Sequence, residues 1–517
     1  MRLLSTLEMN NPTWLCFSWS LLILAVIHVT VGEMYTSLLN VKQAISVERK
    51  LIDYLRVYID HEFERLEDIK RLQRPGDSDG QPAGVIHPDQ AAAFRVAECS
   101  LQQRSPGERT RSSYEKEEAN LPKLEDLQGA AKGLMRLQDV YALQVASLVR
   151  GCFQRVTKGK PIDIYLPAVS VSLSGDDCFL VGKVAYEQED YYHSVQWLEE
   201  SVRLFRGTGG EWSPENEGTL ADALDHLAFS HFKTGNISYA ISLSQELLNH
   251  DPMNGRVLQN IEKYEKLLGT SPPIPIRGDG LRRPSSNYLG TRDTYERLCQ
   301  TQGSQPMLFE NPRLFCDYFT NGNPGLLLLP VRREVLSLRP YVVLYHSFIT
   351  DTEAEDIKRT AQPGLKRSVV AAGEKQATAE YRISKSAWLK GSAHSTVGKL
   401  DQRISMLTGL NVKHPYGEYL QVVNYGIGGH YEPHFDHATL SSVEAGGCTA
   451  FIYANFSVPV MEKAAIFWWN LHRNGQGDAD TLHAGCPVLI GDKWVANKWI
   501  HEHGQEFQHR CSLNPEV

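Results

Sequence analysis

Cysteine is scarce, with nine in 517 residues and one of them, Cys16, inside an N-terminal apolar run. The other eight, Cys99, Cys152, Cys178, Cys299, Cys316, Cys448, Cys486 and Cys511, are spread along the chain. This excludes a disulfide scaffold and leaves room for a few staples, whose pairing the spacing does not decide. A basic surplus is also missing: 53 Lys+Arg stand against 61 Asp+Glu, a net charge of −8. No general electrostatic pull toward nucleic acid or anionic lipid is expected. Long apolar runs occur once, from Leu15 to Ile27, ahead of Thr30-Val31-Gly32. That run is short for a bilayer, which needs about 20 residues, and reads as a signal peptide over 1–32, cleaved after Gly32. No later stretch is apolar enough to span a membrane, so a lumenal or secreted protein is expected. There the sequons at Asn236 and Asn455 are glycosylation candidates, Asn236 the better one. The C-terminal Asn514-Pro515-Glu516-Val517 is not a retention signal of the Lys-Asp-Glu-Leu kind. Retention in the endoplasmic reticulum would therefore need a partner that carries one.

What is present suits folded domains. The chain is 42% hydrophobic and 22% charged, and its length fits about three or four domains. Leu38, Ile45, Ile52, Ile59 and Leu66 recur every seventh residue, which reads either as an assembly helix or as an amphipathic helix packed on its own domain. The polar stretch 102–120 reads as a loop or a weak helix. From Asp176 to Leu268 the texture is helical, and Gly182 to Leu198 can be laid over Leu227 to Leu248, with Val195 matching Ala240. Such repetition resembles tetratricopeptide-type helix pairs. Tyr186, Tyr191, Tyr192, Phe229 and Phe232 either line a groove for an extended peptide or fill the helix-pair core. Gly269 to Pro284 is a Pro- and Gly-rich linker. Beyond it, Tyr341 to Tyr345, Gln421 to Tyr425, Ile466 to Asn470 and Pro487 to His501 read as strands, and Asp351 to Ala361 and His394 to Leu407 as helices. A β-sandwich or jelly roll buttressed by helices follows.

One segment carries chemistry. In His430-Tyr431-Glu432-Pro433-His434-Phe435-Asp436, a strand would turn His434 and Asp436 to one face, where imidazole and carboxylate can hold one metal ion. Alone the pair is weak, because 18 histidines make a chance His-x-Asp unsurprising. His483 ahead of an apolar strand adds a third ligand, and Lys493 follows ten residues later. Two histidines and a carboxylate leave coordination positions open, as non-haem Fe(II) needs to bind a chelating cosubstrate and dioxygen. Lys493 could pair with that cosubstrate's far carboxylate. Tetrahedral zinc is the alternative, less suited to the open positions and the lysine.

Together with Asn424-Tyr425-Gly426, Gly446-Gly447, Thr481 to Val488 and Lys493 to His501, this constellation resembles the alpha subunit of collagen prolyl 4-hydroxylase. Gly129 to Lys132 and Leu137-Gln138-Asp139 resemble that family's N-terminal domain. Asp176-Asp177-Cys178, Gly182 to Tyr186 and Asp190 to His193 resemble its peptide-substrate domain, while Phe467 to His472 and Asp225 to Phe229 look most like its third isoform. The resemblance implies a multidomain α+β protein: a helical, coiled-coil assembly domain (33–150), a tetratricopeptide-like peptide-binding domain (151–268), a connecting segment (269–335) and a double-stranded β-helix (jelly roll) dioxygenase domain (336–517). It implies iron on His434, Asp436 and His483. It implies 2-oxoglutarate on Lys493, helped by Tyr425 and Thr449, with Trp499 walling the pocket and His501 near the carboxylate that is lost. Dioxygen and ascorbate complete the cofactor set, and C4 of proline in Xaa-Pro-Gly repeats of procollagen is the expected target. The family pairs Cys299 with Cys316 and Cys486 with Cys511. It assembles as two alpha and two beta subunits, the beta subunit being protein disulfide isomerase, in the endoplasmic reticulum lumen.

This chain departs from the family between Asp436 and Gly446-Gly447, where it is roughly twenty residues shorter and lacks a strand of the usual five or six residues. An open sheet edge is expected there. An inactive but assembly-competent, peptide-binding subunit is accordingly the alternative function. A lysyl hydroxylase is a third, disfavoured because such enzymes use arginine where Lys493 stands. Cys448 replaces a small residue and reads as a buried free thiol.

Overall fold

The computed structural model describes residues 38–73, 122–157, 159–168, 170–209, 216–270, 283, 290–302, 311–372, 375–434, 445–510 and 512. The signal peptide, Cys99, the stretch 102–120, Asp436 and Cys511 lie outside the described residues. The chain divides into a smaller unit, Leu38–Leu127, and a larger one that takes in Gln128–Val517. No helix among the described residues is long and apolar enough to cross a membrane.

Among the described residues of the smaller unit, helix α1 (Leu38–Gln73) buries Ala44, Val47 and Leu51. The heptad residues Ile45, Ile52, Ile59 and Leu66 are all exposed, as is Leu55. The seven-residue stripe is therefore not the face this helix packs on within its own unit. Residues 128–150, placed with the N-terminal domain by sequence, pack inside the larger unit, where they include most of α2 (Leu124–Tyr141).

The larger unit continues with helices α3 (Gly175–Glu187), α4 (Tyr191–Gly207), α5 (Leu220–Lys233), α6 (Ile237–His250) and α7 (Gly255–Thr270). Their starts are written in the sequence. Ser174 with Asp177 and Thr219 with Asp222 form capping boxes, and the Asp190 carboxylate accepts from the His193 N–H. Trp197, Leu198, Leu224, Leu227 and Leu243 are sealed inside, and the matched Val195 and Ala240 are both buried. Gly182 lets α3 and α4 touch, since a Cβ there would lie 2.7 Å from the Leu198 side chain. A buried ion cluster ties α2 to these helices: His193 donates to Asp190 at 2.6 Å and to Asp139 at 3.0 Å, and Arg283 bridges Asp139 and Glu296. The two carboxylates push the His193 imidazole up to about 9 against the opposing effect of burial.

Helix α8 (Arg292–Gln300) leads into the sheet region. Strands β1 (Cys316–Phe319), β2 (Val331–Leu338) and β3 (Tyr341–His346) come first, then helix α9 (Asp351–Ala361), whose bounds match the sequence expectation. Next are β4 (Lys366–Arg367), β5 (Arg382–Ile383), β6 (Lys385–Leu389), helix α10 (Ser395–Thr408), β7 (Leu420–Tyr425) and β8 (His430–His434). The chain finishes with β9 (Ala445–Gly446), β10 (Thr449–Phe451), β11 (Phe456–Val458), β12 (Ala465–Trp468), β13 (His483–Gly485), β14 (Val488–Ile490) and β15 (Lys493–Asn497). The stretch Pro487 to His501, strand-like in the sequence, holds two strands, β14 and β15, on either side of a turn at Ile490-Gly491-Asp492, where Gly491 has φ 102.

The strands form a four-stranded sheet β15-β7-β6-β4, a five-stranded sheet β11-β10-β13-β8-β5, a second four-stranded sheet β12-β3-β2-β1 and the pair β9-β14. Edge strands β12 and β15 both line a cavity of about 1370 Å³ whose walls include Ile466, Trp468, Ala496 and Lys498. Two sheets thus end on one cavity.

Candidate active site

Two of the three expected metal ligands meet across neighbouring strands. In the antiparallel pair β8-β13, His434 and His483 are Cα partners, after a bulge that separates them from the Tyr431–Gly485 pair. Their ring centres are 4.6 Å apart. Each Nδ1 lies against a main-chain carbonyl: His434 against Glu432 O at 2.6 Å, His483 against Thr481 O at 2.9 Å. A carbonyl can only accept, so each Nδ1 carries the proton and Nε2 is the basic nitrogen. Orientation by a carbonyl in this way is what metal-ligating histidines need, so both residues fit a metal. Asp436, the expected third ligand, lies outside the described residues. Trp468 and Phe451 wall His483 at ring distances of 4.9 and 5.7 Å, and Tyr431 stacks on His434.

Lys493 begins the edge strand β15 and is the Cα partner of Tyr425 on β7. Its amine is buried and donates to Gly447 O at 2.6 Å, 5.2 Å from the centre of the Tyr425 ring. Burial pulls the amine down to about 8. Thr449, two residues beyond Gly447, is buried on β10 and pairs with Gly485 of the His483 strand. The structure therefore brings Lys493, Tyr425 and Thr449 into one neighbourhood, and β10 and β13 link it to the histidine pair.

Trp499 and His501 are less central. The Trp499 ring lies 5.3 Å from Trp388, and its buried Nε1 has no hydrogen-bond partner. His501 is half exposed, 3.6 Å from Glu418, on the large cavity. Neither His434, His483 nor Lys493 lines that cavity, so it is not where the ligand-bearing strands meet.

The expected disulfides need correction. Cys299 is bonded to Cys486, not to Cys316, and Cys486 is therefore not available to Cys511, which is outside the described residues. The reason is tertiary. Helix α8 lays buried Cys299 against the sheet that carries β13, whereas Cys316 is exposed on edge strand β1 of a different sheet, opposite Glu334. Cys448 is a buried free thiol, as expected, with its sulfur 3.2 Å from that of Cys486.

On the helical repeats, four of the five expected aromatics form one row. Tyr186, Tyr191 and Phe229 stand within 5.6 to 6.2 Å of each other, and Phe232 continues the row at 6.0 Å. All are half-buried, so they belong to a surface as much as to a core. Tyr192 instead packs on His193, away from the row's ring contacts. Sequence reading missed Tyr264, stacked on Phe232 at 4.5 Å, and His226, 4.7 Å from Tyr186. It also missed Lys233, which lies over Tyr191 and Phe229. Tyr264 lies on α7, a helix whose face was legible only as amphipathic.

Known proteins resemble this chain over most of its length. Residues 175–270 match the prolyl 4-hydroxylase peptide-substrate-binding domain, and residues 95–155 match the N-terminal region of the prolyl 4-hydroxylase alpha-subunit. Human prolyl 4-hydroxylase subunit alpha-3 is 53% identical over 516 residues, covering 94% of this chain and 95% of the human protein. This chain belongs to the prolyl 4-hydroxylase alpha-subunit family. Human prolyl 4-hydroxylase subunit alpha-1 is 33% identical over 552 residues, covering 96% of this chain and 99% of its own. Both alignments contain more positions than this chain supplies residues, so each relative carries sequence that this alpha subunit lacks. A viral collagen prolyl hydroxylase of Paramecium Bursaria Chlorella virus-1, solved with 2OG, superposes at a TM-score of 0.25 with 23% identity over 31% of this chain and 94% of its own.

Proposed function

We propose that this prolyl 4-hydroxylase alpha subunit is the catalytic chain of a procollagen-proline 4-dioxygenase, acting with Fe(II), 2-oxoglutarate, dioxygen and ascorbate. The observation that carries the reading is the pair His434 and His483, held in register with matching tautomers beside a buried lysine. His434, Asp436 and His483 would hold the iron. When bound, that ion would be chelated by the keto acid and would activate dioxygen for hydroxylation at C4 of proline. Lys493 supplies a cation at the buried end of the pocket. A cosubstrate carboxylate would take the amine from Gly447 O, and Tyr425 and Thr449 offer hydroxyls to the same group. Trp468 and Phe451 keep water from the His483 side of the site. Trp499 and His501 would close the pocket's outer side.

The aromatic row on α3 to α7 suits an extended proline-rich chain, whose rings stack on Tyr186, Tyr191, Phe229 and Phe232 without ordering cost. The exposed stripe of α1 suits a coiled-coil contact with a second alpha subunit, and the sheet region suits a jelly roll. Protein disulfide isomerase as beta subunit would retain the complex in the endoplasmic reticulum lumen, with Asn236 and Asn455 as glycosylation sites. The close relatives favour this enzymatic reading over an inactive subunit. The test is 2-oxoglutarate decarboxylation by the chain coexpressed with protein disulfide isomerase, with and without a Pro-Pro-Gly repeat peptide. Peptide-stimulated turnover that is lost in His483→Ala is expected. A soluble, assembled complex with no turnover would refute the proposal.

A further inference from the structure

Tyr141, the last residue of α2, is fully buried and far in sequence from the candidate site. Its hydroxyl donates to Pro487 O at 2.6 Å, the same carbonyl that accepts from the Gly447 N–H at 2.9 Å, and it takes a second, longer branch of that N–H at 3.4 Å. Gly447 is the residue whose carbonyl receives the Lys493 amine. Tyr141 and the Gly447 N–H thus converge on the Pro487 carbonyl, and the same glycine holds Lys493 through its oxygen.

The turn is built around this contact. Gly446 and Gly447 both have positive φ, 80° and 69°, and a Cβ on Gly446 would lie 2.7 Å from the Tyr141 hydroxyl. The rest of α2 is fastened nearby. Arg136 donates to Gly428 O at 2.9 Å, Lys132 pairs with Glu380 at 2.7 Å, and a Cβ on Gly428 would lie 3.0 Å from Gly133. Burial raises the Tyr141 phenol well above its ordinary value, so the proton donated to Pro487 O stays in place across the working range.

We infer that Tyr141 is a positioning residue for cosubstrate binding, acting through the Gly446-Gly447 turn on Lys493. The inference rests on the reading that Lys493 receives the distal carboxylate of 2-oxoglutarate. A helix that sequence reading assigns to the N-terminal assembly domain thereby contributes to the catalytic pocket.

The experiment is a double-mutant cycle in the full chain within its assembled complex, using Tyr141→Phe and Lys493→Ala. A lost buried hydrogen bond predicts a rise in the KM for 2-oxoglutarate of roughly fivefold for Tyr141→Phe, with the peptide KM and kcat little changed. In the Lys493→Ala background the same change has no further effect, because its target is gone. An unchanged 2-oxoglutarate KM, or the same rise in both backgrounds, overturns the inference while leaving Lys493 in its role. An unchanged KM for Lys493→Ala itself overturns the role of Lys493 and the inference with it. Amide hydrogen exchange over residues 445–450 of the unsubstituted chain needs no variant to fold. Exchange there changes when 2-oxoglutarate lifts the amine from Gly447, and no change overturns the relay.

Discussion

His434 and His483 face each other across adjacent antiparallel strands with their ring centres 4.6 Å apart, each proton-bearing Nδ1 turned to a carbonyl two residues back in its own chain. Losing an outer partner of a metal-bound histidine typically costs 10- to 100-fold in affinity or activity, so losing the imidazole itself costs more. His434→Ala and His483→Ala should each lower peptide-stimulated decarboxylation by at least about a hundredfold. Iron titration of the purified complex checks that the loss is one of metal binding.

The role proposed for Lys493 predicts that cosubstrate binding depends on pH. Its amine titrates near 8 because burial disfavours the charge. Below that pH it is a cation and attracts the carboxylate; above it the attraction fades. The KM for 2-oxoglutarate should therefore rise as pH increases through about 8. In Lys493→Arg the guanidinium stays charged, so that rise should disappear even if the overall KM is higher. Initial-rate kinetics from pH 6.5 to 9 would decide it.

Peptide mapping without reduction should recover Cys299 joined to Cys486, with Cys316 and Cys448 alkylated. The bond closes a loop of 187 residues, for which a chain-entropy estimate gives about 5 kcal/mol as an upper bound. Cys299→Ser should lower the thermal midpoint markedly and loosen α8 from the strand next to His483. A map joining Cys299 to Cys316 instead would contradict the fold described for this region.

The ion cluster at His193 should show in stability rather than chemistry. The folded-state value, about 9, lies above the unfolded reference of 6.5, so its contribution is complete below 6.5 and is lost as pH rises through 9. A shift of that size is worth about 3 kcal/mol at most. His193→Gln should remove this slope from a plot of unfolding free energy against pH, measured by urea denaturation. A wild-type curve that is flat between pH 6.5 and 9 would contradict the cluster.

Legibility differed from element to element for physical reasons. The helix at Asp351–Ala361 announces itself through Thr350 and Glu353, a reciprocal cap whose partners are three residues apart. The break between β14 and β15 was legible as the Ile490-Gly491-Asp492 turn, where Gly491 takes a positive φ of 102. The aromatics were read at five helical positions, while His226 joins four of them because α5 meets α3 at Tyr186, and Tyr264 because α7 reaches Phe232 on α5. Tyr192 left the row because its neighbour His193 is drawn into the ion cluster on α2.

Local pattern determined the helix pairs, the caps, the main strands and the identity of the histidines and the lysine, because each depends on residues close along the chain. Only the tertiary structure decided which distant groups meet. It paired Cys299 with Cys486 across 187 residues, and it put Tyr141 against Gly447 across 306. Such contacts follow from the packing of whole elements and leave no periodic trace in the sequence that makes them.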